Sequence, residues 1–356
     1  MPPLYFIYLA KLYTKNFFAL LFGLSFAFAV IDYFQYSQKL GESSNHKILY
    51  IFYMWQEALG LLYPLVLIFA LIVTKISLIK NNTMVALHAF GYTKKQLFFP
   101  FLTVALLVYF VFVFLNMTEF AYAKDKASAL LKNRYNEYNI NNLFFKYNDT
   151  FVYVNKLDPI EKKIYDMTLF KVSKDQVRYT IHAPYAFFDH ELWVAKDAYI
   201  KTHIYDKNGS LQRYNLLFKE RIETLKGYKP KIIESLYEGK ALNILDAYNT
   251  WQLLSVQHLN SEKIRALLYN KTIFPLFAIA MLLILFFKLP IHARMMHIGV
   301  AVAFSLGATF GVWGMLFGLN QIGTNGLVMP EVSSIVPIVL LWMYAIFLYG
   351  TKEKRF

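Results

Sequence analysis

His182, Asp189, His190 and Glu191 are the residues whose types could hold a metal ion or exchange a proton. They lie in strand-like sequence and lack the spacing of a metal box or an acid/base pair. No cysteine is present, which excludes disulfides, thiolate metal sites and a cysteine nucleophile. A phosphate-binding loop fails at its end: Gly318 and Gly323 have the spacing of G-x-x-x-x-G-K-[ST], but Thr324-Asn325 follows where Lys and Ser/Thr would be needed. A membrane enzyme such as a glycan ligase is thus the weakest reading, and no cofactor is implied. The remaining candidates are isolated charges, Asp32, Glu57 and Glu119, near the ends of apolar blocks. A charge at the centre of a span costs about 2.5 to 3.5 kcal/mol on insertion scales, so their placement favours interfacial anchoring over proton relay. The net charge of +14 points to anionic headgroups or an anionic substrate rather than to nucleic acid.

The elements that position these charges are membrane spans. With 57% hydrophobic and only 17% charged residues, the chain is too apolar for a soluble protein, and its apolar residues come in blocks. About 20 apolar residues cross the hydrocarbon, and six blocks qualify: 16–36, 50–79, 98–120, 272–287, 298–320 and 332–350. The first lacks a small-residue cleavage site, so it reads as an uncleaved helix. Three blocks precede and three follow a polar island from Lys124 to Lys263, which gives domains 1–121, 122–263 and 264–356. If the amino terminus is inside, the inner segments carry Lys11, Lys15, Lys75, Lys80, Lys94, Lys95, Lys288, Arg294, Lys352, Lys354 and Arg355. The outer short loops carry only Lys39 and Lys47. This asymmetry puts both termini in the cytoplasm and the island outside, which in a bacterial inner membrane is the periplasm.

Within the island the apolar period falls from helical to two. Thr150–Asn155, Met167–Val172, Val177–Ile181 and Glu191–Ala195 read as short strands. Asp158-Pro159 supplies one turn, and Asn208-Gly209 is a strong hairpin signal between Tyr199–Tyr205 and Leu211–Phe218. About eight strands without intervening helices predict an antiparallel sandwich or jelly roll. From Ile244 to Tyr269 the pattern is helical again.

Between the second and third blocks, Asn82 can cap a short helix carrying apolar Met84, Val85 and Leu87, and Gly91 fits the left-handed residue that ends it. Thr93 to Gln96 then reads as a capping box. In the fifth block Ala303, Gly307, Gly311, Gly314 and Gly318 form a small-residue face, suited to close helix packing or to a mobile transport gate.

Met84-Val-Ala-Leu-His-Ala-Phe-Gly-Tyr-Thr93 resembles the VMxASGxT loop of the LptF/LptG lipopolysaccharide export permeases. Three further stretches match that family in order: Phe151–Val154, Ala183 through Trp193, and Lys271-Thr-Ile-Phe-Pro275 at the start of the fourth span. The resemblance covers essentially the whole chain. It implies an α-helical polytopic membrane protein with six transmembrane helices, three plus three, around an inserted all-β periplasmic jellyroll. It implies a non-enzymatic permease that pairs with a second LptF/LptG-type permease on an LptB-like ATPase dimer and moves lipopolysaccharide to LptC-like and LptA-like bridge proteins. Residues 82–90 would be the coupling helix, with Asn82, Thr83, Met84, Val85, Leu87, His88 and Gly91 at the ATPase. Substrate-facing basic residues would be Lys124, Lys126, Lys132 and Arg134, since Lys or Arg makes charge-assisted hydrogen bonds to lipid A phosphates or acidic sugars.

Two positions depart from the family pattern. Thr83 stands where an acidic residue is common, and Ala29 where a lysine precedes the aspartate of the first span; Lys39 lies further out as its possible substitute. Val30-Ile31-Asp32 and the loop from Pro330 to Pro337 resemble LptG more than LptF. A different class stays open: a membrane-anchored sensor or assembly factor whose β island binds a periplasmic ligand without transport.

Overall fold

The computed structural model describes residues 3–41, 43–131, 140–159, 161–173, 176–206, 211–230, 232–233, 242–256, 259–290 and 297–351. The chain divides into two compact units. One comprises Met1–Ala127, Asn243–Tyr248 and Ser261–Phe356, and the other Ser128–Leu242 and Asn249–Asn260.

The first unit is helical. In its first half are α1 (Leu4–Tyr36), α2 (Ser44–Lys80), α3 (Thr83–Ala89) and α4 (Lys94–Leu115), and α5 (Ala123–Leu131) begins in it and ends in the second unit. After the sheet comes α6 (Ile244–Val256), which also divides between the two units, and then, within the first, α7 (Glu262–Thr272), α8 (Leu276–Lys288), α9 (Ile298–Thr324) and α10 (Val336–Thr351), the last preceded by a π-helical turn at Glu331–Ile335. Among the described residues α1, α2, α4, α9 and α10 with its opening turn are long and apolar enough to cross a membrane.

The fourth expected span differs from its reading as one straight helix over 272–287. It is a broken pair, α7 and α8, bent by 40°. The 13 residues of α8 reach about 20 Å at 1.5 Å per residue, short of the roughly 30 Å of hydrocarbon. The break has a chemical cause: Pro275 has no N–H to donate, and Leu276 N–H turns to the carbonyl of Ile273 at 3.0 Å. The Thr272 carbonyl left over accepts instead from the Tyr109 hydroxyl of α4 at 2.8 Å.

Every residue of α8 from Phe277 to Phe287 is buried. A helix apolar on all sides belongs inside a bundle, and α2, α4 and α10 enclose this one. Its carboxyl end is capped from outside by Lys75 of α2, which is 1% exposed; the ammonium donates to the Phe286 carbonyl and, at 2.8 Å, to that of Leu289. A cation there also meets the negative end of the helix dipole. Helix α1 buries a stripe at every fourth residue, Leu9, Tyr13, Phe17, Leu21, Ser25 and Ala29, and turns its other faces outward. Because lipid offers no hydrophobic drive between helices, polar contacts fix the pairing of α1 with α2: Tyr13 Oη to the Leu67 carbonyl at 2.9 Å, Asn16 Nδ2 to Thr74 Oγ1 at 2.8 Å, and Trp55 Nε1 to Ser25 Oγ at 2.9 Å.

The second unit holds one six-stranded antiparallel sheet in simple order: β1 (Ile140–Tyr147), β2 (Thr150–Asp158), β3 (Lys163–Ser173), β4 (Gln176–Asp189), β5 (Leu192–Tyr205) and β6 (Leu211–Thr224). The described strands are fewer and longer than the eight expected, and they connect as consecutive hairpins rather than through the Greek keys of a jelly roll. Asp158-Pro159 does turn the chain, with Glu161 N–H donating to Asp158 Oδ1 at 2.9 Å. His190 and Glu191, expected within strand sequence, are the two-residue turn between β4 and β5, both at positive φ. The Asn208-Gly209 turn lies outside the described residues.

One line across this sheet explains why its strands are long. Asn142, Asn155, Asp166, Pro184, Asp197 and Glu220 are neighbours from β1 to β6, each falling between paired positions. On alternate strands, Asn142, Asp166 and Asp197 have positive φ. Across the line the buried positions step by three instead of two: Val154 to Leu157, Ile164 to Met167, Ala183 to Ala186, and Ala195 to Ala198. A left-handed residue re-aims the side chains that follow it, as at a β-bulge, so the alternation resets at the same place on neighbouring strands. The core behind the sheet includes Trp193, whose Nε1 donates to the Tyr228 carbonyl at 2.6 Å, and Tyr228 stacks on Phe145.

Candidate functional site

The polar side chains of the bundle gather where the chain leaves α4 for the sheet unit and returns. Asn116, just after α4, is the hub. Its carbonyl accepts from Ile244 N–H at 3.0 Å, and its Oδ1 accepts from Lys271 Nζ of α7 at 3.2 Å. Tyr122 donates to Asp246 Oδ2 at 2.6 Å; burial and that carboxylate hold its phenol well above the usual tyrosine value.

Glu57 of α2 faces the same region. It is half-buried, and it lines a cavity of about 190 Å³ with Gly60, Asn116, Asn270, Lys271 and Trp313. The charges of Lys124 and Lys271 act on it. The other acids at span ends behave differently. Asp32 accepts a hydrogen bond from Tyr50, and Glu119 forms an exposed ion pair with Lys126 at 3.1 Å.

Of the basic residues expected to face substrate, Lys124 and Lys126 flank this polar end, Lys126 already paired with Glu119 and 5.9 Å over the Tyr53 ring. Lys39 is exposed and sits 5.5 Å over the Tyr36 ring. Lys132 and Arg134 lie outside the described residues, as do Arg294, Lys352, Lys354 and Arg355. Nothing in the sequence singled out the cavity. The sequence shows Glu57 as an isolated charge and Lys271 as part of a motif, with nothing to place the two across one space.

At the opposite end, α3 bears on the expected coupling residues. Met84 is 1% exposed and belongs to the bundle core, and Leu87 packs against that core. The face left to solvent is Asn82, Ala86, Ala89 and Phe90, the last 80% exposed; Thr83, Val85 and His88 are intermediate. His88 Nδ1 lies 2.8 Å from the Tyr92 carbonyl. Asn82 does not cap the helix with its side chain as expected; it takes a left-handed backbone at φ 55° that turns the chain out of α2. Gly91 has the expected left-handed conformation, φ 85°, and the Thr93–Gln96 capping box forms in both directions.

Gly307, Gly311, Gly314 and Gly318 of α9 are exposed, and a Cβ at any of them would meet nothing within 4 Å. No described helix of this chain uses the small-residue face. The close approach falls at Gly323 instead, where a Cβ would lie 2.0 Å from Ser333 Oγ. Beside it, Arg265 and Tyr269 of α7 both bind Glu331, Tyr269 at 2.9 Å, and tie the bent segment to the start of α10.

Among the described residues no group of three or more His, Cys, Asp or Glu could hold a metal ion. A family model described as lipopolysaccharide export system permease LptF/LptG matches residues 7–351. No curated protein matches the chain.

Proposed function

The chain belongs to the LptF/LptG family of lipopolysaccharide export permeases, and from that premise we propose that it is the permease subunit of an ABC-type exporter that extracts lipopolysaccharide from the inner membrane. The motor is a separate LptB-like ATPase dimer. A second LptF/LptG-type permease completes the membrane part, and LptC-like and LptA-like proteins receive the lipid. In this reading the six spans stand three on each side of residues 122–263, which lie in the periplasm, and both termini are cytoplasmic. Between the two permeases the LptG type is favoured by Val30-Ile31-Asp32 and by the stretch from Pro330 to Pro337. Lys124, Lys126, Lys132 and Arg134, with Lys39, would meet the anionic head of the lipid.

The observation that carries the proposal is the match over 7–351 joined to a short surface helix, α3, that exposes Ala86 and is followed at once by the exposed Phe90. Phe90 and Ala86 are its docking residues, since Met84 and Leu87 are taken up by the bundle. An aromatic anchor on a small-residue ledge is the kind of group that dominates binding energy at an interface. Phe90→Asp should leave the permease inserted and abolish capture of the ATPase, because it would place an unpaired charge in that contact. Leu87→Asp would disturb the bundle as well and is the poorer test. Co-purification of a stoichiometric soluble ATPase with the unaltered chain, lost in Phe90→Asp, supports the reading. Absence of any ATPase from the unaltered complex would favour a membrane-anchored periplasmic ligand-binding protein instead.

A further inference from the structure

The cavity beside Glu57 and Lys271 has a property that a packing defect would lack: two opposite charges face one space without closing on each other. Each acts on the other through its charge, yet they form no contact ion pair. Glu57 accepts no hydrogen bond from any described residue. Lys271 gives one, to Asn116 Oδ1, of the three that an ammonium can give. Half-buried charges left apart in this way lose part of their hydration without a direct partner to replace it. A ligand with both signs, an ammonium for Glu57 and an anion for Lys271, would satisfy the two together. A simple anion would be repelled by Glu57 and by Asp125, whose charge also acts on Lys271, and a simple cation by Lys271 and Lys124.

The remaining walls restrict the ligand further. Leu61, Tyr63, Phe274, Trp313 and Phe317 are apolar or aromatic. They suit methylene groups, and an aromatic face such as that of Trp313 also attracts an ammonium. At about 190 Å³ the space falls below the roughly 300 to 1,000 Å³ of pockets that hold drug-sized molecules. It admits a headgroup and not a sugar disaccharide. We propose that this cavity binds a phosphoethanolamine group, its ammonium on Glu57 and its phosphate on Lys271.

Two molecules present that group, an ethanolamine glycerophospholipid and a lipopolysaccharide bearing a phosphoethanolamine substituent. The proposal does not depend on export, because neither ATPase capture nor lipid transport enters its test.

The test is native mass spectrometry of the delipidated full-length chain titrated with defined lipids. Phosphatidylethanolamine should be retained about tenfold better than phosphatidylglycerol, the effect of one charge-assisted contact. Phosphatidylcholine, whose quaternary nitrogen has no N–H to give Glu57, should fall between them. Glu57→Gln, which keeps the shape of the side chain, should bring ethanolamine and glycerol lipids to within about twofold of each other. Lys271→Met should weaken both; if that variant does not fold, Trp313→Leu supplies the second arm and should lower ethanolamine retention. Phosphoethanolamine-modified and unmodified lipopolysaccharide, run in parallel, identify the source: preference for the modified form alone assigns the site to the lipopolysaccharide substituent, and phospholipid retention assigns it to the bilayer lipid. Equal retention of phosphatidylethanolamine and phosphatidylglycerol by the unaltered chain, or an undiminished preference in Glu57→Gln, overturns the proposal.

Discussion

By sequence Lys75 belongs with the basic residues of the inner segments, and in the structure it is a buried cap on the end of another helix. Hydrogen bonds from a charged donor contribute about 1.5–3 kcal/mol each when both partners are buried. Lys75→Met would keep most of the apolar stem and strand two carbonyls at the end of α8. It should lower stability by roughly 2–3 kcal/mol, read as a fall in the unfolding temperature of the purified chain, with Lys75→Arg falling less. Lys11, Lys15 and Lys80 of the same count are exposed, while Lys95 lies 4.4 Å over the Tyr349 ring and Lys288 5.3 Å over that of Tyr344. A count of charges per loop reads the side of the membrane, but it has no access to which lysine turns inward. The same limit applied to Glu57: its position near one end of an apolar block was legible, and the lysine it faces, more than 200 residues along the chain, was not.

At the scale of elements, period and punctuation served well where the governing contacts are local. The spans, the capping box at Thr93 and the left-handed Gly91 are each written within a few residues of themselves. The broken fourth span was partly legible, since Pro275 stood in the quoted motif, but the bend depends on Tyr109 taking up the freed carbonyl. In the sequence alone a loss of phase in the alternation marks a strand end, which makes the strands shorter and more numerous than they are. In the structure it loses phase at the line through Asp166 and Asp197 and then resumes. Only register across neighbouring strands tells such a reset from a strand end. The left-handed conformation at these positions costs a non-glycine residue about 1–2 kcal/mol, least for Asn and Asp, whose side chains bond locally. Asp166→Val should therefore destabilise the sheet unit by more than about 1 kcal/mol, and Asp166→Gly should be close to neutral. Chemical denaturation of the full chain followed through Trp193, which is buried in that unit, distinguishes the two.

For the whole molecule, the proposed arrangement makes a prediction about sides. The chain has no native cysteine, so single-cysteine variants report without background. Glu161→Cys, in the turn between β2 and β3, should react with a membrane-impermeant maleimide added to spheroplasts, whereas Phe90→Cys should react only after the membrane is opened. The reverse pattern would invert the topology and put the ATPase on the wrong side of α3. The enclosed helix α8 bears on how the molecule is made. Its slot is walled by α2 and α4, which are synthesised before it, and by α10, which is synthesised after it. During translation α8 thus leaves the ribosome before its last wall exists. At 13 residues it is too short to be held by the hydrocarbon alone. Until α10 arrives it must be retained by its neighbours, and Lys75 is already in place, from α2, to receive its end. Completion of the chain, rather than insertion of any one segment, is then the event that locks the bundle.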